Sequence, residues 1–147
     1  MDIISKYAET LNDLMYDNKL TAESLSKATG ISKNRIYEWL TGKSKFMPSV
    51  TSLLIIADYF KCSLDYLTGI DGNNAPPSQK PRPSFSGWFR PAIERKGFTL
   101  YGLGKKSNIA TQHFYKWINN ERKPSLDSLL RISAALNCSL DYLVGRE

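Results

Sequence analysis

Two short segments of the chain carry several closely spaced side chains that donate or accept hydrogen bonds. They are Lys33, Asn34, Tyr37 and Glu38 in the first segment and Thr111, Gln112, Tyr115 and Lys116 in the second. Lysine donates to guanine, asparagine and glutamine pair with adenine, glutamate accepts from cytosine, and the threonine methyl group contacts thymine. Because residues one turn apart share a helix face, both segments are predicted to read base edges.

Basic side chains flank both segments at corresponding positions. Residues 26–47 carry five Lys or Arg against one acidic residue, and residues 104–123 repeat this local balance of +4. Such a footprint is typical of proteins that bind nucleic acid, and solubility alone would not require it to recur. The side chains predicted to contact phosphates are Lys27, Ser32, Arg35, Lys43 and Lys45, and in the second segment Lys105, Lys106, His113, Arg122 and Lys123.

The residue types that most enzymes and metal sites need are scarce. His113 is the single histidine, and Cys62 and Cys138 lie at equivalent positions between apolar segments. That placement favours small core residues over a disulfide or metal ligands. No Ser/His/Asp set and no phosphate-binding glycine loop is present. We therefore expect no catalytic residue, metal, cofactor or small-molecule ligand.

The net charge of +6 is unevenly distributed over the 147 residues. Residues 1–69 hold eight basic and eight acidic side chains, whereas residues 85–147 hold ten and five. No signal-peptide pattern and no apolar run of membrane-spanning length occurs, so the sequence predicts a cytoplasmic protein with no membrane contact.

The two segments belong to an internal repeat. Residues 25–69 reappear at 103–145, and 19 of the 43 aligned positions are identical once Phe46 and Met47, which have no counterpart, are set aside. The hexapeptide Cys-Ser-Leu-Asp-Tyr-Leu closes both copies. Two copies are too few for a solenoid, so each copy is predicted to be a small domain with its own core.

Apolar residues at three- and four-residue steps predict five short helices in the first copy and no strand. The residues expected to cap these helices are Asp2, Thr21, Ser32, Ser49 and Ser63. Gly30 and Gly42 are expected to end the second and third helices. Trp39, like Trp117 in the second copy, is predicted to belong to the core.

The second copy follows the same pattern with weaker helix propensity. Pro91 is expected to lie near the start of its first helix or to shorten that helix. Gly102 and Gly104 cost about 1 kcal/mol each inside the next helix. Asn108 and Asn120 replace the two turn glycines, which is acceptable because asparagine tolerates the left-handed conformation. We expect the first two helices of this copy to be the less stable ones.

These patterns divide the chain into two domains, residues 1–69 and 85–147, joined by a linker at 70–84. The linker contains four prolines and almost no apolar surface. Such a composition cannot bury enough surface to order itself.

A short helix, a turn at 30–32 and a second short helix with Ile36 and Trp39 facing inward form a helix-turn-helix. With Pro48-Ser49 opening the next helix, the chain resembles, twice, the phage-repressor-like helix-turn-helix family of the xenobiotic response element type. The resemblance implies an all-α fold of two tandem five-helix, lambda-repressor-like domains, and a bacterial or phage repressor. The family usually places glutamine where this chain has Ala22 and Leu100.

We therefore predict a sequence-specific regulator of transcription that binds double-stranded DNA, with the third helix of each domain reading one of two unlike half-sites. One alternative stays open, an antitoxin-like or restriction-controller-like interaction module in which only the second domain binds DNA. The first domain would then mediate partner binding or self-association, and a homodimer is left open in either case. DNA binding by both is favoured because the first domain, although neutral overall, keeps +4 on its reading segment.

Overall fold

The computed structural model describes residues 2–71 and 83–147. These two ranges fall into separate compact units, named unit 1 and unit 2. Each contains five helices, and no strand occurs in the described ranges. The predicted all-α class with two tandem five-helix domains is confirmed. Most of the predicted linker, residues 72–82, lies outside the described residues.

Unit 1 begins every helix at a residue whose side chain caps it. Its helices are α1 (Ile3–Asp17), α2 (Ala22–Thr29), α3 (Lys33–Thr41), α4 (Val50–Phe60) and α5 (Leu64–Thr68). The side chains of Asp2, Thr21, Ser32, Ser49 and Ser63 each accept a hydrogen bond from the backbone N–H three residues later. Gly30 and Gly42 end α2 and α3 with φ angles of 78° and 68°. All of these caps match the sequence prediction.

Unit 2 repeats the arrangement with small differences. Its helices are α6 (Phe85–Arg95), α7 (Leu100–Ser107), α8 (Thr111–Ile118), α9 (Leu126–Leu136) and α10 (Leu140–Leu143). Asn108 and Asn120 adopt φ angles of 57° and 59°, which confirms that asparagine takes the left-handed role of the two glycines.

Pro91 lies inside α6, which continues to Arg95, so the prediction that it lies near the start of the helix is wrong. The first helix is nevertheless shorter in this unit, with 11 residues in α6 against 15 in α1. The missing N–H and the ring clash cost about 3 kcal/mol. Phe89 and Ile93 are fully buried on the inner side of the same helix. Because burying each of them contributes about 1.5–3 kcal/mol, packing of α6 onto the core exceeds the cost of the proline.

Each unit has its own core, formed where the first helix crosses the third. In unit 1, α1 packs against α3 and α5, and α2 packs against α3. In unit 2, the rings of Phe89, Phe114 and Trp117 pack against one another with centroids 5.4–5.5 Å apart. Cys62 is buried and Cys138 is half-buried, as expected for core residues. No helix among the described residues is long and apolar enough to cross a membrane.

Candidate nucleic-acid interface

Helix α3 separates a buried face from an exposed one. Ile36 is fully buried and Trp39 is 5% exposed, with the Trp39 ring packed edge-on against Tyr7 at 5.3 Å. The predicted reading residues Lys33, Asn34, Tyr37 and Glu38 are all exposed. Since the two core positions hold α3 against α1, the remaining side of the helix is free to approach a groove. The prediction that Trp39 belongs to the core is confirmed.

The turn between α2 and α3 is held by hydrogen bonds within the motif. The Ser26 hydroxyl donates to the Ile31 carbonyl at 2.6 Å, and the Ile31 N–H donates to the Thr29 hydroxyl at 3.3 Å. The Ile31 side chain is buried beneath the turn. These contacts set the angle at which α3 leaves α2, and they therefore orient the reading face.

In unit 2, a glycine lies at the position that contacts the corresponding turn. Gly104 aligns with Ser26, and a Cβ atom there would lie 3.0 Å from both the Ile109 carbonyl oxygen and the Thr111 methyl carbon. The absence of a side chain thus lets α7 approach the turn that starts α8. In the sequence, Gly104 indicates only a loss of helix propensity, because the residues it approaches belong to the next turn and helix.

Helix α8 presents a different set of side chains. Gln112, Tyr115 and Lys116 are exposed, whereas Thr111 is half-buried with its methyl group against Gly104. Helix α8 begins after Ala110 and has no side-chain cap, unlike α3. The inner residues Phe114 and Trp117 are buried in the aromatic cluster, which confirms the core prediction for Trp117.

A groove lies between α8 and the loop that follows it. Its volume is about 340 Å³, and four basic side chains line it: His113, Arg122, Lys123 and Arg131. No acidic side chain is among the described residues that line this groove. Arg131 is also paired with Asp127 one turn away, at 3.2 Å. Arg131 has no signal in the basic segment of the sequence, because it lies on α9, beyond that segment.

The corresponding groove of unit 1 is smaller and less basic. Its volume is about 240 Å³, and its lining includes Arg35, Glu38, Phe46 and Met47. The Ser44 hydroxyl lies 3.0 Å from Glu38 Oε1, so this carboxylate is held against the loop between α3 and α4. Glu38 is therefore within the reading face but already has a partner in the same unit.

The other predicted phosphate contacts lie outside these grooves. Lys27, Lys43 and Lys45 are exposed on unit 1, and the Ser32 hydroxyl caps α3 by accepting from the Arg35 N–H at 3.2 Å. On α7, the Lys105 and Lys106 ammonium groups lie 4.6 Å and 5.1 Å from the ring centroids of Tyr101 and Phe98. Both remain exposed, so these cations are positioned along α7 by stacking on aromatic rings.

Comparison with known proteins agrees with this geometry. The sequence profile of the helix-turn-helix family matches residues 17–67 and 92–143. The chain belongs to the helix-turn-helix family. The HTH-type transcriptional regulator ImmR of Bacillus subtilis (strain 168) is 32% identical over 56 residues, which cover 38% of this chain and 44% of that protein. The chain thus matches less than half the length of this relative. No solved structure matches the chain.

Both family matches contain the two helices of the motif and leave out most of the first helix of each unit. Ala22 and Leu100 are the first residues of α2 and α7, where glutamine is usual in the family that the sequence resembles, and they are only 5% and 7% exposed. Both side chains pack inward and have no polar group to offer. Neither position therefore offers the polar side chain that the glutamine supplies in the resembled family.

Proposed function

We propose that this chain binds double-stranded DNA in a sequence-specific way and represses transcription. Each unit would read one half-site. The observation that carries the proposal is the pair of exposed helix faces, on α3 and α8, each rich in hydrogen-bonding side chains and flanked by exposed basic residues. In helix-turn-helix proteins the second helix of the motif enters the major groove. Repression by occupying a promoter requires binding alone.

The two half-sites are expected to differ in sequence. Unit 1 offers Lys33 and Asn34 at the start of α3, which suit guanine and adenine. Unit 2 offers Gln112 and Lys116 on α8, and Gln112 suits adenine. Because α3 and α8 carry different side chains at the reading positions, the proposal favours an operator without strict two-fold symmetry.

One chain is long enough to serve both half-sites. Adjacent half-sites lie about 34–36 Å apart along DNA, and the 15 residues at 70–84 could span at most about 50 Å. Tethering makes the second contact intramolecular and raises avidity by up to about 10²–10⁴ without new contacts. We therefore propose that residues 1–69 and 85–147 act as two joined readers.

The experiment that tests this proposal is selection of bound sequences from a random DNA pool with the full chain. Asn34→Ala should relax base preference in one half of the selected motif, and Gln112→Ala should relax it in the other. Each should cost about 1–3 kcal/mol on the preferred site and little on other DNA. Lys45→Ala and Lys123→Ala serve as controls, because loss of a phosphate contact weakens binding to all sequences similarly.

A second candidate function is an interaction role for unit 1, with DNA held by unit 2 alone. It is favoured by the exposed apolar side chains of unit 1 outside the predicted reading residues, namely Tyr16, Phe46, Met47, Ile55, Tyr59 and Ile70. In the selection experiment, this function predicts a single short motif that Asn34→Ala leaves unchanged. Enrichment of no motif at all would contradict both functions.

A further inference from the structure

The insertion Phe46-Met47 places an apolar pair beside the reading helix of unit 1. Phe46 is 78% exposed and Met47 is 39% exposed. Unit 2 has no counterpart, since Lys123 is followed directly by Pro124. Covering this ring would remove apolar surface from water and so favour binding at this position.

The backbone that carries Phe46 is held in place although the side chain is exposed. The Ser44 hydroxyl accepts from the Phe46 N–H at 3.3 Å and lies 2.9 Å from the Phe46 carbonyl oxygen. The same hydroxyl lies 3.0 Å from Glu38 on α3, and Pro48 is buried at the far end of the loop. Phe46 is therefore presented from a preorganised loop, which lowers the entropy cost of binding.

The flanking charges indicate what covers the ring. Lys43 and Lys45 precede Phe46 in the loop and are exposed. Arg35 lines the adjacent groove together with Glu38, whose carboxylate accepts a hydrogen bond from the Ser44 hydroxyl. A protein surface that buried Phe46 would also have to accommodate these cations. Phosphates on both sides of an apolar base step satisfy the cations and the ring together.

The length of α3 indicates which part of DNA the loop meets. The helix has nine residues, so it is about 13.5 Å long at 1.5 Å per residue. The major groove is about 12 Å wide. When α3 lies in this groove with its N-terminal residues on the base edges, the loop at its carboxyl end lies next to the phosphate rim, and the minor groove opens on the other side of that rim.

We propose that Phe46 is a wedge that inserts between two base pairs from the minor-groove side, next to the half-site of unit 1. The proposal rests on DNA binding by unit 1 as proposed above. Phenylalanine and methionine are among the residues that partly unstack a base step and kink the duplex. The step should be a flexible pyrimidine–purine step, such as TA or CA. Unit 2, which lacks the pair, leaves its half-site unkinked.

The test uses the full chain and a duplex obtained by the selection described above. 2-Aminopurine, whose fluorescence rises when a base unstacks, is placed at successive steps, and bending is measured by gel mobility of circularly permuted fragments. The wild type should raise the fluorescence at one step beside the unit 1 half-site and bend the fragment. Phe46→Ala should lose both signals, and Phe46→Leu should keep part of them.

The matched control is Tyr16→Ala, because Tyr16 is 85% exposed but lies at the end of α1, outside the groove. It should keep the fluorescence change and the bend. Equal thermal midpoints for the wild type and Phe46→Ala exclude a folding defect, since the exposed ring adds nothing to the core.

Three results would overturn the wedge. Tight, specific binding by the wild type without unstacking overturns this inference and leaves the proposed function intact. Distortion that persists in Phe46→Ala also overturns it, and a lower mass of free Phe46→Ala in light scattering would then identify the pair as a protein contact. Failure of the wild type to bind any selected duplex overturns the proposed function and the wedge together.

Discussion

The grooves beside the two reading helices occupy the same place in the fold of each unit but are lined by different side chains. In unit 2 the groove is lined by His113, Arg122, Lys123 and Arg131, whereas in unit 1 it is lined by one arginine, a glutamate and an apolar pair. Arg131 aligns with Ile55, and Lys116 aligns with Glu38. These differing positions are exposed, while the aligned core pairs Leu25/Leu103, Ile36/Phe114 and Trp39/Trp117 stay apolar. Duplication therefore preserved the packing that orients α3 and α8 and changed the surface that DNA would meet.

The cores of the two units differ in the polar groups that they bury. The first helix of unit 1 buries Tyr7 against Trp39, whereas unit 2 has Phe85 at the aligned position, 6.3 Å from Trp117. At the carboxyl end of unit 2, Arg146 and Asp141 form an ion pair of 2.6 Å with side chains only 3% and 8% exposed. In unit 1, the position aligned with Arg146 is occupied by Ile70, which is 45% exposed.

The largest expected effect concerns salt. If both units together neutralise about 6–10 phosphates, affinity for the selected duplex should fall about 10³–10⁵-fold between 50 and 200 mM salt. Replacing Arg122 by alanine should reduce the slope of log affinity against log salt by about one, because one phosphate contact is lost. Equilibrium binding at several salt concentrations measures both quantities. Affinity independent of salt would remove the electrostatic role assigned to the unit 2 groove.

The buried ion pair between Arg146 and Asp141 should stabilise unit 2. Arg146→Ala should cost unit 2 about 3–5 kcal/mol, because the Asp141 carboxylate stays buried without this cation. Urea unfolding followed by circular dichroism measures the loss. Arg90→Ala is the matched control, since its 3.4 Å pair with Glu94 is exposed and should contribute at most about 1 kcal/mol. Equal losses for both variants would mean that the pair at the carboxyl end is not a stabilising feature of unit 2.

Gly104 allows a test of whether the turn of unit 2 requires the close approach of α7. Gly104→Ala should destabilise unit 2 by about 1–3 kcal/mol, because the new methyl group meets the Ile109 carbonyl and the Thr111 methyl at 3.0 Å. Gly102→Ala provides the control in the same helix. Its methyl group meets only the Thr99 hydroxyl, at 3.3 Å, while alanine improves helix propensity. A Gly104→Ala protein as stable as Gly102→Ala in urea would show that α7 does not need this close approach.

The smallest expected effect concerns Tyr7, whose hydroxyl is buried without a hydrogen-bond partner among the described residues. Tyr7→Phe, which copies Phe85 of unit 2, should raise stability by about 1 kcal/mol. Tyr16→Phe on the exposed end of α1 should change stability by less than about 0.5 kcal/mol. Thermal or urea unfolding compares the two, and a large loss in Tyr7→Phe would mean that the hydroxyl has a partner.

The same tyrosine should affect unfolding at alkaline pH. Burial raises the pKa of Tyr7 well above its usual value. The folded state therefore keeps the proton while the unfolded chain loses it above about pH 10, so the stability that this group contributes declines as pH rises beyond that point. Tyr7→Phe should show a smaller loss of stability between pH 9 and 11 than the wild type, measured by urea unfolding at each pH.

Local sequence signals predicted most of the helical architecture. The caps at Asp2, Thr21 and Ser32 were predictable because each bonds to an amide three residues away. The exposure of the reading face followed from helical periodicity, once Ile36 and Trp39 were assigned to the core. Whether these exposed side chains contact bases stays a prediction.

Features that depend on packing could not be predicted in this way. The proline signal predicts that Pro91 lies near the start of its helix or shortens it, but α6 continues through Pro91 because Phe89 and Ile93 are buried in the core. Arg131 was missed because it reaches the groove beside α8 from a separate helix. Propensity and spacing describe only neighbours along the chain and contain no information on such contacts.

The sequence by itself determined the repeat, the caps, the turns and the amphipathic faces of the described helices, because these depend on residues within about one turn of each other. Only the tertiary structure decided that Gly104 is needed for a close approach, that Arg131 completes a basic groove and that Tyr7 buries its hydroxyl. These features depend on how helices pack, since burial and close contact join residues that are distant along the chain.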